Sequence, residues 1–347
     1  MPDLKTVKPM GELFSAWSAL VEDYAITGAW VSGGKVFVVG DAAGGVFGFD
    51  GASGTILWSH REAHEGGLLS ISPHPKLDLI TTAGQDGRIL FWNAKDGTLQ
   101  QSIELGQAWI ENLEWSLDGQ WLAASCSRRV YVYSIDAQEA WRSDHHQSTV
   151  SAIAWSISQE LATACYGQVS FYDISSGQLN QRFEWKGSLV SMVLSPDGQI
   201  VVCGSQDNSV HFWRRSDGED SMMAGYPGKP SALAFDHTGT LLATGGGEDV
   251  TVWSFDGDGP EGTRPGILNF HSKPITSLTF SPNRTNLASG SRDGSVVTWM
   301  LQKDGQGDPV GAARLDSSVS GLIWRCDGNA LAALDAQGGV TVWRVGN

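Results

Sequence analysis

One phrase recurs along the whole chain. A short apolar run, a polar turn and an alternating run that closes on an aromatic residue follow one another at regular intervals. The clearest copy runs from Leu287 to Trp299. Other copies close on Trp92, Trp213, Trp253 and Trp343, and weaker ones on Phe49, Tyr133 and Tyr172. Successive closing aromatics are 43, 41, 39, 41, 40, 46 and 44 residues apart. A repeat of that length, made of short alternating segments and turn residues, cannot bury its apolar faces alone. It must stack on neighbouring copies, and short strands stack best as a ring of small sheets.

The strands within a unit can be read from the turns. In the seventh unit, residues 274–280, 285–290, 295–300 and about 310–315 alternate and are separated by breakers. Asp293-Gly294 marks a two-residue hairpin between the second and third strands. Tight turns after the first strand recur at Leu117-Asp118-Gly119, Pro196-Asp197-Gly198, His237-Thr238-Gly239 and Cys326-Asp327-Gly328. The pattern predicts an all-β chain forming one domain over 1–347, a β-propeller of eight blades with four antiparallel strands (a to d) each. The blades are expected near 24–61, 67–104, 109–143, 149–184, 188–223, 230–270, 274–315 and 318–345. The last unit lacks chain for a fourth strand, whereas residues 11–20 form a strand-like piece without a partner. This segment is expected to complete the last blade and close the ring, removing an open edge. Trp92, Trp213, Trp253, Trp299 and Trp343 are expected to fill the space between blades.

Bulk properties narrow the partners. The formal charge of −15 argues against a nucleic-acid or anionic-membrane surface, both of which need clustered Lys and Arg. Residues 1–20 carry no apolar run of signal-peptide length behind a basic start, and no stretch is apolar enough for a membrane span. Cys126, Cys165, Cys203 and Cys326 form no Cys-x-x-Cys pair. A cytoplasmic protein with reduced thiols is expected.

The phrase ending at Trp299, with His271 before it, resembles a WD repeat, and the resemblance covers essentially the whole chain. In that family a His, a Ser or Thr, an Asp and the closing Trp form one hydrogen-bonded set. The resemblance assigns these roles to His271, Ser289, Asp293 and Trp299. It also suggests His64, Thr82, Asp86 and Trp92, although the first strand there is shorter and its turn longer. The fifth unit keeps Asp207 and Trp213 but carries Trp185 and Cys203 at the other two places. Residues 184–188 and 224–227 resemble phrases of a bacterial WD-repeat group associated with zinc-linked GTPase metallochaperones of the CobW type. That likeness implies an alternative role in metal handling beside such a GTPase. Phe49 to Trp58 resembles the tryptophan-docking motif of eight-bladed quinoproteins and their non-enzymatic relatives. It is convincing only in the first unit, and those enzymes are exported. A quinone oxidoreductase is therefore the least favoured reading, and no cofactor is expected.

Three groups carry residue types that suggest chemistry. His271, Ser289 and Asp293 contain the residue types of a hydrolase triad, but in a WD repeat they satisfy one another and pin a turn. Asp144, His145 and His146 include the only adjacent His pair. Neighbours on an extended segment point opposite ways, so a metal would need ligands from elsewhere. Asp256, Asp258 and Glu261 lie in a long loop without the register of a calcium hand.

Alignment of the first strands gives a further pattern. His146, Trp185, Tyr226 and His271 occupy one position in four successive units, and Trp109 lies near it in the third. Two readings of Trp185 and Tyr226 stay open. They cover the blade edges, or with Trp109 and His146 they form an arc of contacts for a protein partner on the third to sixth units. The expected function is a non-enzymatic scaffold for protein partners.

Overall fold

The computed structural model describes residues 10–257 and 259–346. Apart from one short 3-10 turn at Ser32–Gly34, every regular element among them is a strand. No helix among the described residues is long and apolar enough to cross a membrane. The sheets are antiparallel meanders of strands that are neighbours in sequence, apart from two pairings made by residues 10–20. The hairpin turns carry a glycine with positive φ, as at Gly87 and Gly294.

The ring has seven blades, which corrects the expectation of eight. The strands assemble into seven sheets because the fourth and fifth units do not separate. Strand Glu160–Asp173 runs without a break through the turn between the second and third strands of the fourth unit. Strand Leu179–Leu194 then crosses from the fourth unit into the fifth. Its first half pairs with Glu160–Asp173 and its second half with Ile200–Ser205, giving one six-stranded sheet. The difference lies in residues 183–189, which stay extended where other units leave the strand. Arg215 fastens the same junction. Its guanidinium lies 3.9 Å from the Phe171 ring centroid and binds Glu160 at 2.7 Å.

The closing strand is Leu13–Leu20, which pairs antiparallel with Gly339–Val345 from Leu13↔Val345 to Leu20↔Gly339. Just before it, Met10–Gly11 pairs with Ala312 and Gly311 on the outer strand of the neighbouring sheet. One short segment thus ties two sheets together.

The core lies between sheets. Trp92, Trp213, Trp299 and Trp343 are buried there, while Trp253 is half-buried. Two further sets of tryptophans lock adjacent units. At the inner strands, Trp30 donates to the Ile323 carbonyl, Trp155 to Glu114, Trp324 to Thr279 and Trp115 to the Thr81 hydroxyl. At the outer strands, Trp17 donates to the Gly51 carbonyl at 3.1 Å, Trp58 to Ala94 at 2.9 Å and Trp141 to Ile174 at 2.7 Å. Each of these three rings lies on a glycine of positive φ: Gly54, Gly97 and Gly177. A Cβ there would fall 2.5 to 2.7 Å from the indole, so only glycine lets the ring dock. The docking geometry read from sequence in the first unit therefore occurs three times.

Candidate functional site

The inner strands all run away from one face of the ring, here called the top. His64 shows how that face is built. Its Nδ1 donates to Asp86 at 3.0 Å, its Nε2 accepts from Thr82 at 2.8 Å, and Trp92 donates to the same hydroxyl at 2.9 Å. All four members of this set are therefore joined. In the seventh unit His271 bonds Ser289 at 2.7 Å and Ser295 at 2.5 Å, and Trp299 donates to Ser289 at 2.8 Å. Asp293 is reached through Ser295. Burial pushes the His271 imidazole down to about 4, so it is neutral near pH 7. Ser289 is fully buried and already takes the Trp299 proton, so no substrate carbonyl can reach it.

Two residues of the candidate arc fill the same structural slot. His146 is buried, with Nε2 3.0 Å from Thr163 and Nδ1 3.2 Å from the Arg128 carbonyl. Asp144 and His145 point outward and are exposed, so the structure does not bring the three candidate ligands together. Among the described residues, no group of three or more His, Cys, Asp or Glu side chains is placed to hold a metal ion. Tyr226 also substitutes for a histidine. Its hydroxyl bonds Thr244 at 2.8 Å and accepts from Trp253 at 2.9 Å. The sequence carried a signal for this: Tyr226 precedes Thr244 by 18 residues, the separation of His64 from Thr82 and of His271 from Ser289.

Trp185 differs from both. It stacks on His211 with ring centroids 3.5 Å apart, and neither Trp185 Nε1 nor His211 Nδ1 has a hydrogen-bond partner. His211 Nε2 bonds Ser209, which donates to Asp207. Cys203, at the usual hydroxyl position, is fully buried. The fifth unit thus lacks the hydrogen-bonded set. Trp109 stands clear of all these networks and is 52% exposed.

Beside these residues, two hollows open on the top face. One, of about 520 Å³, lies at the mouth of the central channel between Glu111, Tyr166, Ser188 and Val190. The other, of about 920 Å³, crosses the sixth unit past Tyr226, Pro227, Gly247 and Trp253 to Ile267. Val190 lines both, so the two hollows are neighbours on that face and make a two-part depression. Tyr166, which the sequence did not single out, is 53% exposed at its edge.

Burial raises the Glu111 carboxyl above its ordinary range. Three residues further along the same inner strand, Glu114 is half-buried. Burial pushes its carboxyl up to about 8. The folded protein then holds a proton that the unfolded chain releases near pH 4.5. The associated stability is full below that pH and declines as pH rises to about 8. Glu114→Gln should therefore melt like wild type near pH 4.5 and be more stable at pH 8.5–9 by up to roughly 5 kcal/mol. Parallel melts of the two proteins at both pH values check this, and equal curves at the higher pH would contradict it.

On the opposite face, Glu261 binds Arg214 at 2.6 and 2.9 Å and accepts from Ser221. The Arg214 hydrogen bonds hold its carboxyl down at about 2. Asp256 lies in the same loop, and Asp258 falls outside the described residues. The carboxylates considered for calcium are thus not a free set, since Glu261 already has an arginine.

A ring of meander sheets pinned by His–hydroxyl–Trp sets defines a WD-repeat β-propeller. The WD domain, G-beta repeat, matches residues 262–299. The PQQ_2 family, described as outer membrane protein assembly factor BamB, matches residues 15–223, more than half of the chain. The chain belongs to both families, the second over the stretch that carries all three docked outer tryptophans. Telomerase protein component 1 of Rattus norvegicus is 24% identical over 81% of this chain and 11% of its own length. Autophagy-related protein 16 of Arabidopsis thaliana is 26% identical over 81% of this chain and 56% of its own. The chain therefore corresponds to only part of each of these relatives. The crystal structure of the computationally designed Ika8 protein superposes with a TM-score of 0.81, covering 97% of this chain and all of the design at 22% identity. That likeness concerns the fold alone.

The quinone cofactor suggested by the PQQ_2 label does not fit the channel mouth. Pyrroloquinoline quinone is a polycarboxylate, and the hollow there is lined by Glu111 and hydroxyl side chains with no basic residue.

Proposed function

We propose that the protein is a non-enzymatic scaffold that binds protein partners through its top face, over the third to sixth units. The observation that carries this reading is the two-part depression whose hollows adjoin at Val190, with the exposed rings of Trp109 and Tyr166 on the same face. Large aromatics on a rigid frame make interaction anchors, since little conformational freedom is lost when a partner covers them. The WD-repeat match supports a binding role, while the reactive-looking side chains are consumed in structural hydrogen bonds. Tyr226 contributes by shaping the depression, since its hydroxyl is held from below.

The test compares two double variants in quantitative affinity capture. Trp109→Ala/Tyr166→Ala alters the top, and Leu117→Ala/Ile157→Ala alters an exposed apolar pair on the opposite face. All four side chains are more than half exposed, so both variants should melt like wild type. Partners lost only from the first variant are expected. Partners lost only from the second would move the binding face to the other side of the ring.

A further inference from the structure

The depression has a chemical polarity along its length. At the channel mouth Glu111 is its only charged residue, flanked by the hydroxyls of Ser148, Thr149 and Ser151 and the ring of Tyr166. Ser148 is itself committed to neighbouring backbone. Burial disfavours the Glu111 carboxylate, and no cation in the lining offsets that cost. A hollow of this kind is completed by a positive group brought from outside.

Across the sixth unit the lining changes character. Pro227, Pro265, Ile267 and Pro274 give it an apolar surface. Lys229 and Arg292 balance Glu248 and Asp249, so this end carries no net charge. The floor is backbone: a Cβ at Gly247 would come within 2.4 Å of the Pro227 ring, and one at Gly246 within 2.8 Å of the Gly228 carbonyl. That contact fixes the groove's shape before anything binds. A small cation would fill the mouth and leave the groove empty, whereas an extended chain spans both.

We infer that the depression takes an extended peptide segment with a cationic side chain seated against Glu111 and apolar residues, proline among them, lying across the sixth unit. This rests on the top face being the binding face and names the chemistry of its occupant. The cation gains a carboxylate and an adjacent aromatic ring, and the apolar residues gain a preorganised surface.

A phage-displayed library of random nine-residue peptides, selected on the full-length protein, tests it. The expected pool carries Arg or Lys at one fixed position and Pro, Leu or Ile a few residues away. Selected clones should bind Glu111→Gln at least tenfold more weakly. Ile267→Asp, at an exposed position, should weaken the same clones while the preference for a cation stays. Both variants are first matched to wild type by thermal melting. A pool without a cation, a pool rich in acidic residues, or no enrichment would each overturn the inference. If no peptide is enriched while Trp109→Ala/Tyr166→Ala still loses its partners, the scaffold reading stands without this occupant. If cationic peptides are enriched but that double variant keeps every partner, the peptide groove stands and the scaffold reading falls.

Discussion

Removal of residues 1–22 should leave a protein that aggregates, or that melts far below the intact chain. Leu13–Leu20 supplies the outer strand of the last sheet, and without it the edge of Gly339–Val345 lies open to any passing strand. The same deletion strips Leu13 and Trp17 from buried positions. Trp17 lies 6.0 Å from Phe49, ring to ring, and donates to the Gly51 carbonyl across the seam. Losing one buried leucine and one buried tryptophan costs about 2–5 and 3–5 kcal/mol when each is cut to alanine. Together these are comparable with the whole net stability of about 5–15 kcal/mol typical of a folded protein. Size-exclusion chromatography and thermal melts of the truncated and intact chains give the answer. A monomer that melts within a few degrees of the intact chain would show that the ring does not need its clasp.

The second large effect is expected at the docked tryptophans. Trp58→Ala should destabilise by about 4 kcal/mol, because it empties a buried slot on Gly97 and leaves the Ala94 carbonyl without its donor. Trp109→Ala removes a ring of the same size from the exposed top and should change stability by less than about 0.5 kcal/mol. Urea unfolding of the two variants beside wild type separates packing from mere loss of an aromatic. Similar shifts in both would mean that the docking contact carries no special weight.

Much of this architecture was legible in the sequence. The recurrence of the closing aromatics fixed the kind of fold, and the lone segment before the first unit pointed to the clasp. The number of blades was not legible. It depends on whether residues 183–189 turn or stay extended, and a short run without proline permits either. The structural set around His271 was implied by the WD-repeat resemblance, and the one around His64 forms despite its longer turn. Tyr226 escaped because its role depends on a hydroxyl reaching Thr244, although the shared 18-residue separation was present to be read. Trp17 and Trp141 escaped for another reason. The sequence around them lacks the Asp-Gly-x-x-Gly run that precedes Trp58, although their acceptors lie at similar separations, 34 and 33 residues on. The depression itself is assembled from several units and has no signature within any one of them.

The pairing of Leu13 with Val345 also sets an order of events during synthesis. Leu13–Leu20 leaves the ribosome long before its partner Gly339–Val345, while the intervening hairpins form from neighbours already made. Through that interval the leading strand is a hydrophobic ribbon with no mate. A chaperone that shields extended segments would be most needed then, and a stalled ribosome would leave an open arc whose free ends are prone to join those of another chain.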